Sequence, residues 1–394
     1  MTEQLAYALI TPYSIYKSRT GGIIGRLLAH AQLELVATRM YVFSDAFLDA
    51  YQKVVCPKTT DPAIAEAWHR YIDESLRRDN PWGMLPRCML LLFRGPNAVR
   101  HLKDEVIGGF TETITGDTVR GTYGDFIRDK SGAIRYFEPA VITCPDPAVN
   151  NEHLKLLAQY SISDGGVLTG QIRYDQPNVQ VSLVMLKPDN FERRSRRPGN
   201  IIDTFSLTGL RIVGARLFNM TVAQAEEFYG PLKAIFVKKL KGNVTQEIYE
   251  KLHAAFSFQF TMADAEHLAD RLAERNAVTE FNRIVEYMTG VSPEDVPDPA
   301  EKATASRTKC LAMLYEGPDA INRVRKVLGS TDPTKAEPGT VRSDFGKDLM
   351  RNGAHASDSI DSATRERKIV GLLDREAGTC DVDQIIHEYI DQQQ

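Results

Sequence analysis

The feature that most constrains this chain is an internal repeat, because two similar halves must fold in similar ways. Three matching stretches occur in the same order in both halves: Leu9–Pro12 with Met185–Pro188, Phe93–Ala98 with Tyr315–Ala320, and Gly116–Arg120 with Pro338–Arg342. The offset between the copies is 187 − 11 = 176 at the start and 342 − 120 = 222 near the end. The second copy therefore contains about 46 additional residues in its middle.

The length of 394 residues agrees with two domains, since single cores rarely exceed 250 to 300 residues. In each copy apolar runs alternate with helix-like stretches, which predicts an α/β architecture in which helices pack on a sheet as an α+β sandwich. The predicted organisation is a first domain at 1–145, a connector at 146–177, a second domain at 178–376 with an insertion at about 234–279, and a tail at 377–394. A stretch of the connector, His153–Tyr160, is compact and apolar enough to be helical.

The insertion is predicted to be a helical hairpin, packed on its own domain or on a partner subunit. Its first helix is predicted from apolar positions at a 3.6-residue period, namely Ile248, Leu252, Ala255 and Phe256. Thr261–Asp264 has the pattern of a capping box, which predicts that a second helix begins there and continues through Leu268 and Leu272.

Composition and charge exclude several classes of protein. With 48 Lys and Arg against 52 Asp and Glu, the net charge of −4 gives no argument for nucleic acid as a partner. The longest apolar runs, such as Cys88–Phe93, are far shorter than the roughly 20 residues that span a bilayer. The five scattered cysteines indicate neither a disulfide framework nor a zinc cluster. The first residues lack a secretory pattern, so we expect a cytoplasmic protein.

The chemistry is concentrated around His355, in the stretch Arg351–Ser359. A lone histidine before a capped helix is more often structural than catalytic. This one is accompanied in the same copy by three cations and two neutral donors: Lys187, Arg325, Arg342, Thr331 and Asn352. Phosphoryl transfer needs positioned positive charge and an in-line nucleophile, so a histidine in this company is a plausible phosphate acceptor. The sequence contains neither a Walker loop nor a dinucleotide-binding glycine motif.

The order of these motifs resembles the nucleoside diphosphate kinase family. The resemblance rests on Lys187–Asp189, Glu316–Gly317, Pro338–Phe345 and Asn352–Ser359, and it spans most of Val179–Leu373, with a degenerate form in the first copy. It implies two ferredoxin-like βαββαβ domains. It also implies a ping-pong reaction in which a nucleoside triphosphate phosphorylates a histidine and a nucleoside diphosphate then takes the phosphate.

The resemblance also implies roles for individual residues. His355 matches the phosphorylated histidine, and Glu366 and Glu316 match carboxylates beside the imidazole, with Ser357 in support. The phosphate and ribose contacts that it implies are Lys187, Arg325, Thr331, Arg342 and Asn352, while Tyr229 would pack near the histidine. Ile284 is a candidate base contact, although Glu280 stands where the family usually has an aromatic residue. The implied cofactor is Mg²⁺ on the nucleotide phosphates, with no metal site made by the protein alone.

The first copy departs from the family pattern. It has Thr11 in place of the lysine and Tyr13 in place of the following aspartate, and alignment places Ala133 near the missing nucleophile. Arg120 and Lys103 remain at positions of phosphate contacts. The sequence therefore predicts a pseudo-domain that forms no phosphoenzyme, and a residual capacity to bind nucleotide remains an alternative.

Other functions stay open at this point. The chain would alternatively be a catalytically impaired nucleotide-binding regulatory or scaffold protein, because the insertion interrupts one wall of the expected nucleotide cleft. A histidine phosphotransfer protein is a weaker interpretation, since such proteins present their histidine on a helix face. Family members form tetramers or hexamers, so a homo-oligomer, a dimer or trimer of this two-copy chain, is the expected assembly.

Overall fold

The structure is a computed structural model, and it describes residues 3–56, 60–110, 116–373 and 381–393. The chain divides into two compact units, one formed by Met1–Phe218 with Leu311–Gln394 and the other by Asn219–Cys310. The predicted domain end at 376 and the start of the predicted tail at 377 lie outside the described residues. Within the described part of the chain, no helix combines the length and the apolar character that crossing a membrane requires.

The first copy contains six strands and six α-helices among its described residues. Its strands are β1 (Glu3–Ile10), β2 (Glu34–Tyr41), β3 (Cys88–Pro96), β4 (Asp125–Arg128), β5 (Ile134–Glu138) and β6 (Val141–Ile142). Its helices are α1 (Pro12–Tyr16), α2 (Thr20–His30), α3 (Asp45–Tyr51), α4 (Pro62–Tyr71), α5 (Ala98–Arg100) and α6 (Val119–Tyr123), with π-helical turns at Ile72–Leu76 and His101–Ile107. The connector contains a 3₁₀ turn at Pro147–Val149 and α7 (Asn150–Gln159), which covers most of the stretch predicted to be helical.

The second copy repeats this order around the helical insertion. Its strands are β7 (Val179–Leu186), β8 (Arg211–Phe218), β9 (Cys310–Pro318) and β10 (Ala354–Ala356). Its helices are α8 (Arg197–Ser206), α9 (Val222–Tyr229), α10 (Leu232–Leu252), α11 (Met262–Thr289), α12 (Pro299–Lys302), α13 (Ala320–Leu328), α14 (Val341–Phe345), α15 (Ile360–Ile369) and α16 (Asp381–Asp391). Short 3₁₀ turns occupy Pro188–Asn190 and Pro333–Lys335.

Both copies form the same four-stranded sheet. The strand order is β2-β3-β1-β6 in the first copy and β10-β7-β9-β8 in the second. In each, the first strand lies between the third and the fourth, and both of these pairings are antiparallel. This order is that of a ferredoxin-like βαββαβ domain, so the predicted fold class is confirmed. The core strands β3 and β9 are apolar and buried along most of their length, because helices cover the sheet.

The two sheets meet through equivalent elements of the larger unit. Helix α2 packs on α8 so closely that a Cβ added at Gly199 would clash with the backbone nitrogen of Gly25. The connector links the outer strands of both sheets, because Gly166 donates to the carbonyl of Met40 at 2.9 Å and Leu168 donates to the carbonyl of Val213 at 2.7 Å. Contact between equivalent elements is the pattern of a two-fold interface, here within one chain.

The helical unit, Asn219–Cys310, confirms the predicted capping box and corrects the predicted extent of the first inserted helix. Thr261 accepts from the backbone nitrogen of Asp264, whose side chain accepts from the backbone nitrogen of Thr261 in return. Helix α10 ends at Leu252, so Ala255 and Phe256 lie beyond it. Helix α11 continues through Leu268 and Leu272 as predicted, and these two side chains are 40% and 43% exposed. The buried face consists instead of Ala265, Ala269, Ala273, Ala277 and Phe281.

Small side chains at four-residue spacing explain this choice of face. They allow α10 to pack closely on α11, because the distance between packed helices depends on the side chains at the contact. Helix α11 also continues without a break through Phe281–Met288. The predicted end of the insertion near residue 279 is therefore not an element boundary, since the inserted helix and the following family-like helix are one.

Candidate active site

The histidine of the second copy lies on the edge strand of its sheet. His355 is the central residue of β10 and pairs with Met185 of β7. Gly353, with φ of 82°, makes the turn into this strand, and its carbonyl accepts from the backbone nitrogen of Lys187 at 3.2 Å. The imidazole is 22% exposed. Strand pairing therefore fixes the backbone on both sides of the ring while the ring itself stays accessible.

Glu366 orients this ring. Its Oε2 lies 3.0 Å from Nε2 of His355 and accepts the hydroxyl of Ser357 at 2.6 Å. The carboxylate is 5% exposed. An ionised carboxylate only accepts, so Nε2 carries the proton in this pair and the lone pair of the neutral ring lies on Nδ1. Glu366, which was predicted to take part in catalysis, thus contacts the imidazole directly, and Ser357, which was predicted to support the site, is linked to it through Glu366.

A buried lysine lies next to the turn that precedes the histidine. Lys187 follows β7, is 8% exposed, and donates from Nζ to Oδ1 of Asn352 at 2.7 Å and to the carbonyl of Met350 at 2.9 Å. The amide nitrogen of Asn352 donates in turn to the carbonyls of Thr331 and Leu349, at 3.1 and 3.0 Å. The lysine is therefore held in place by hydrogen bonds to two neutral oxygen atoms.

Arg342 completes the set of hydrogen bonds. From α14 its Nη1 donates to the hydroxyl of Thr331 and to the carbonyl of Gly329, both at 3.2 Å, and its Nη2 donates to the carbonyl of Ala354 at 3.4 Å. The structure thus connects Lys187, Asn352, Thr331 and Arg342 by consecutive contacts that end beside the histidine. Thr331 is exposed, whereas Arg342 is buried.

Arg325 lies on the exposed face of α13. It is close enough to Asp358 for its charge to affect that carboxylate. The pKa of Asp358 is lowered, first by hydrogen bonds from Ser362 and Ser359 and then by the positive charge of Arg325. Arg325 is therefore near the segment that follows the histidine.

Glu316 does not lie beside the imidazole, contrary to the prediction. His355 pairs with Met185, which pairs with Ala312 of β9, and Glu316 is four residues farther along that strand. Four strand residues span about 13 Å. Its Oε2 instead accepts from the backbone nitrogen of Gly170 at 2.7 Å, and burial raises its pKa. Glu316 fastens the connector to the sheet.

Tyr229 and Ile284 belong to the helical unit. Tyr229 is the last residue of α9 and is 6% exposed, and Ile284 is half-buried in the middle of α11. Their predicted roles as a neighbour of the histidine and as a base contact stay predictions.

A cluster of hydrogen bonds around Arg197 was not predicted from the sequence. Arg197 donates to Asp189 and Asn190, each at 2.8 Å, and to the carbonyl of Phe345 at 2.6 Å. Asn190 donates to the carbonyl of Gly353 at 2.7 Å. The Lys-Pro-Asp-Asn order was the available signal, because polar residues directly after a buried strand commonly close a turn.

The register of the first copy corrects the predicted equivalent of the histidine. Leu9 corresponds to Met185 at the offset of 176, and Leu9 pairs with Ile142 just as Met185 pairs with His355. Ile142 therefore occupies the position of the histidine and is fully buried. Ala133 lies instead beside the turn of the β4–β5 hairpin, where its backbone nitrogen donates to Asp129 at 3.1 Å.

Taken together, these contacts describe a site suited to anion chemistry. A nucleophilic ring nitrogen, a carboxylate that supports it, and buried cations held by neutral groups match the needs of phosphoryl transfer. The described residues contain no cluster of three or more His, Cys, Asp or Glu arranged for a metal ion. The donors beside the histidine would bind phosphate oxygens rather than a bare cation.

Comparisons with known proteins show that the chain is similar to one family. The model of the nucleoside diphosphate kinase family matches residues 180–237 and 232–371. The nucleoside diphosphate kinase of Methanobrevibacter smithii is 31% identical over 212 residues, which cover 54% of this chain and 98% of that protein. That of Methanococcus maripaludis is 31% identical over 185 residues, covering 47% of this chain and 92% of that protein.

Solved structures of similar proteins were also found. The Aquifex aeolicus nucleoside diphosphate kinase is 27% identical, with a TM-score of 0.30, and the match covers 49% of this chain and 94% of that chain. An NDP kinase from Pyrobaculum aerophilum is 26% identical, with a TM-score of 0.32, covering 48% of this chain and 94% of that chain.

Proposed function

The chain belongs to the nucleoside diphosphate kinase family, and we propose that its second copy transfers the γ-phosphate of a nucleoside triphosphate to a nucleoside diphosphate through phosphorylated His355. The observation that carries this proposal is the Nε2 hydrogen bond of His355 to a buried carboxylate, next to the lysine and arginine network. A histidine with a purely structural role has no need of both a buried carboxylate and a neighbouring network of cations.

The proposed reaction has two steps. In the first, the lone pair on Nδ1 attacks the γ-phosphorus, the bond to the bridging oxygen breaks, and the diphosphate leaves with the electron pair. In the second, a terminal oxygen of another nucleoside diphosphate attacks the same phosphorus and the nitrogen–phosphorus bond breaks. The ring keeps its Nε2 proton throughout, so the phosphorylated ring is cationic and the charge of Glu366 stabilises it.

The cations around the histidine have a separate task. Charge on the transferred group is spread over its equatorial oxygens, and preorganised donors lower the barrier because they need no rearrangement during reaction. Lys187 and Arg342 are fixed in this way by Asn352 and Thr331. Arg325 supplies a further charge at the exposed side, where it would meet the phosphates of an entering nucleotide.

Magnesium enters this scheme as part of the substrate. Its preference for phosphate oxygens and retained waters is met by a nucleotide polyphosphate, and it would neutralise the charge that the protein cations leave. We expect loose selection of the base, and the roles of Ile284 and Tyr229 in binding the nucleotide stay predictions. The cytoplasm remains the compartment that we predict. A homo-oligomer, a dimer or trimer in which each chain contributes two copies, remains the assembly that we predict.

The test is a phosphorylation and chase experiment. The natural chain is incubated with γ-labelled ATP and magnesium, and the labelled protein is then mixed with GDP. We expect acid-labile label on the natural chain and its discharge to GTP, and no label on His355→Ala. Ile142→Ala is the matched control, because it changes the equivalent position of the other copy and should still be labelled.

Thermal melting would establish that each variant is folded. A natural chain that binds nucleotide and takes no label would overturn the kinase and leave the regulatory or scaffold alternative.

A further inference from the structure

A cleft of about 850 Å³ opens within the larger unit, away from His355. It is bordered by α1, by the loop between the π-helical turn Ile72–Leu76 and β3, by the β4–β5 hairpin and by the connector. Its lining includes neither His355 nor Ile142, the equivalent residue of the first copy. The cleft is thus separate from the candidate active site, and at Tyr13 and Glu138 it adjoins the degenerate site of the first copy.

The lining of this cleft is strongly cationic. It includes seven Lys and Arg residues and two carboxylates, Glu74 and Glu138. Glu138 is 5% exposed, and its Oε1 already accepts from Thr11 at 2.9 Å and from the backbone nitrogen of Ala140 at 3.0 Å. Since the chain as a whole has a net charge of −4, this local excess of positive charge is not a consequence of composition.

Several of these cations have no acidic partner in the cleft. Within the described part of the chain, Arg78, Arg173 and Arg211 form no ion pair. Arg87 is 7% exposed and donates to the carbonyl of Ile212. Burial and, second, the nearby positive charge of Arg211 lower the pKa of Arg87 to about 10. Neighbouring like charges are unfavourable, so an anion bound between these side chains would be stabilising.

The cleft also exposes aromatic rings. Trp82 is 64% exposed, Tyr16 is 44% exposed and Tyr136 is 40% exposed. The loop that carries Trp82 is fixed by the buried amide of Asn80, which donates to the carbonyls of Arg77 and Met84 at 2.9 and 2.8 Å and accepts from the backbone nitrogen of Trp82 at 3.1 Å. The exposed indole is therefore held by an organised loop. Exposed aromatic rings beside cations favour a ligand that stacks and is negatively charged.

We infer that this cleft binds a nucleoside polyphosphate at a second site, separate from the one that contains His355. The aromatic rings would contact the base, and Arg78, Arg173 and Arg211 would contact the phosphates. The volume falls within the range of roughly 300 to 1,000 Å³ that is usual for sites of single small ligands, which favours a free nucleotide over a polymer.

The fluorescence of Trp82 measures binding at this cleft. The chain has two tryptophans, and the other, Trp68, is 7% exposed and packs against Phe110 and Phe137. Titration of the full chain with ADP and magnesium should quench tryptophan emission in a saturable way, and Trp82→Phe should abolish that quenching. Arg78→Ala/Arg173→Ala should weaken binding roughly tenfold or more, since charge-assisted contacts are lost.

The matched control is Arg100→Ala/Lys155→Ala, which removes two exposed charges outside the cleft and should bind as the natural chain does. Lys187→Thr, which disables the candidate active site, should keep the quenching. If quenching is absent, or is lost in Lys187→Thr and kept in Arg78→Ala/Arg173→Ala, the second site does not exist.

Two further titrations test the ligand class. Inorganic triphosphate should bind more weakly than ADP because it cannot stack, and adenosine should bind more weakly because it has no charge. Equal binding of inorganic triphosphate would overturn the role of the base, and equal binding of adenosine would overturn the role of the phosphates. Equilibrium dialysis should count two nucleotides per natural chain and one per Arg78→Ala/Arg173→Ala chain.

Discussion

Arg342 of the second copy and Arg120 of the first make the same two backbone hydrogen bonds, although only one of them lies beside a histidine. Arg342 donates to the carbonyls of Gly329 and Ala354, and Arg120 donates to Gly108 at 2.7 Å and to Val141 at 3.0 Å. The retained arginine of the first copy therefore fastens the fourth strand to the preceding glycine turn. Its presence in the sequence is not evidence of phosphate binding.

The other positions of the two sites differ, and the differences form a consistent set. Where the second copy pairs Lys187 with Asn352, the first copy has a hydrogen bond between Thr11 and Glu138. Where Thr331 accepts from Arg342, the ring of Phe110 lies 4.3 Å from the guanidinium carbon of Arg120.

Phe110 packs on three further rings, those of Trp68, Phe126 and Phe137, with ring centroids 5.8, 5.7 and 4.7 Å away. Aromatic side chains, buried at Trp68 and half-buried at the other three positions, thus fill this part of the first copy. A site that loses its nucleophile is filled by apolar and mutually satisfied groups, because an empty polar pocket would cost stability.

The largest effect on turnover should come from replacing Lys187 with threonine, the residue that the first copy has at the equivalent position, Thr11. Lys187→Thr removes a preorganised charge from the transferred phosphate and leaves Asn352 without its donor. We expect turnover to fall by roughly 10³-fold, in the range seen when a transition-state donor is removed. Steady-state kinetics with ATP and a diphosphate measure it, and Lys335→Thr, at an exposed lysine, is the control. If turnover fell by less than tenfold, the charge of Lys187 would not explain the difference in activity that we propose between the two copies.

A second test concerns Glu138, the buried carboxylate of the first copy. Burial raises its pKa to about 7 from an ordinary value of 4.5. Because the folded-state pKa is raised, the stability that it contributes is present below pH 4.5 and is lost as the pH rises through 7. The shift corresponds to roughly 3 kcal/mol.

Glu138→Gln should therefore match the natural chain in unfolding free energy near pH 4.5 and exceed it by up to roughly 3 kcal/mol at pH 8. Denaturation at both pH values measures this difference. Glu74→Gln, at an exposed position, should show no such dependence. An equal gain at both pH values for Glu138→Gln would mean that the carboxyl does not titrate between them.

The equivalent test in the second copy uses Glu366, whose buried carboxylate contacts the proposed nucleophile, the ring of His355, as well as the hydroxyl of Ser357. Glu366→Gln keeps an acceptor for Nε2 and loses the negative charge that stabilises the phosphorylated ring. We expect kcat to fall about 10- to 100-fold, with little change in KM, because the charge matters only once the ring is cationic. Rapid-quench measurement of the labelled intermediate checks it. Ser357→Ala should have a smaller effect in the same direction, and a change confined to KM would contradict the assignment.

Part of the fold and of the candidate site could be predicted from the sequence, because the contacts concerned lie within one strand pair and one helix. The repeat gives the element order, and the order of the motifs identifies His355, Lys187 and Glu366, whose contacts follow from one strand pair and one helix. Glu316 was placed wrongly because its position relative to the histidine depends on the register of two neighbouring strand pairs. No spacing along the chain contains that information.

The wrong equivalent of the histidine has an equally specific cause. The offset between the copies is 222 at Arg120 and 355 − 142 = 213 at Ile142, so the first copy has 222 − 213 = 9 additional residues between these points. They belong to the segment that forms the β4–β5 hairpin. Carrying the offset of 222 forward gives 133, which is the residue that the sequence predicted. Only the strand register reveals the shift.

The last variant is expected to have the smallest effect, and it tests the comparison between the two copies most directly. Ile142→His/His355→Ala moves the nucleophile to the equivalent strand position of the first copy, and we expect no acid-labile label from γ-labelled ATP. Thr11 supplies no charge, and Phe110 covers the arginine that would face a phosphate. Ile142→Leu/His355→Ala is the matched control, and melting curves show whether the buried imidazole is tolerated. Label on the histidine variant alone would mean that strand position suffices and that the surrounding charges are dispensable, which would remove the physical basis for assigning the chemistry to the second copy.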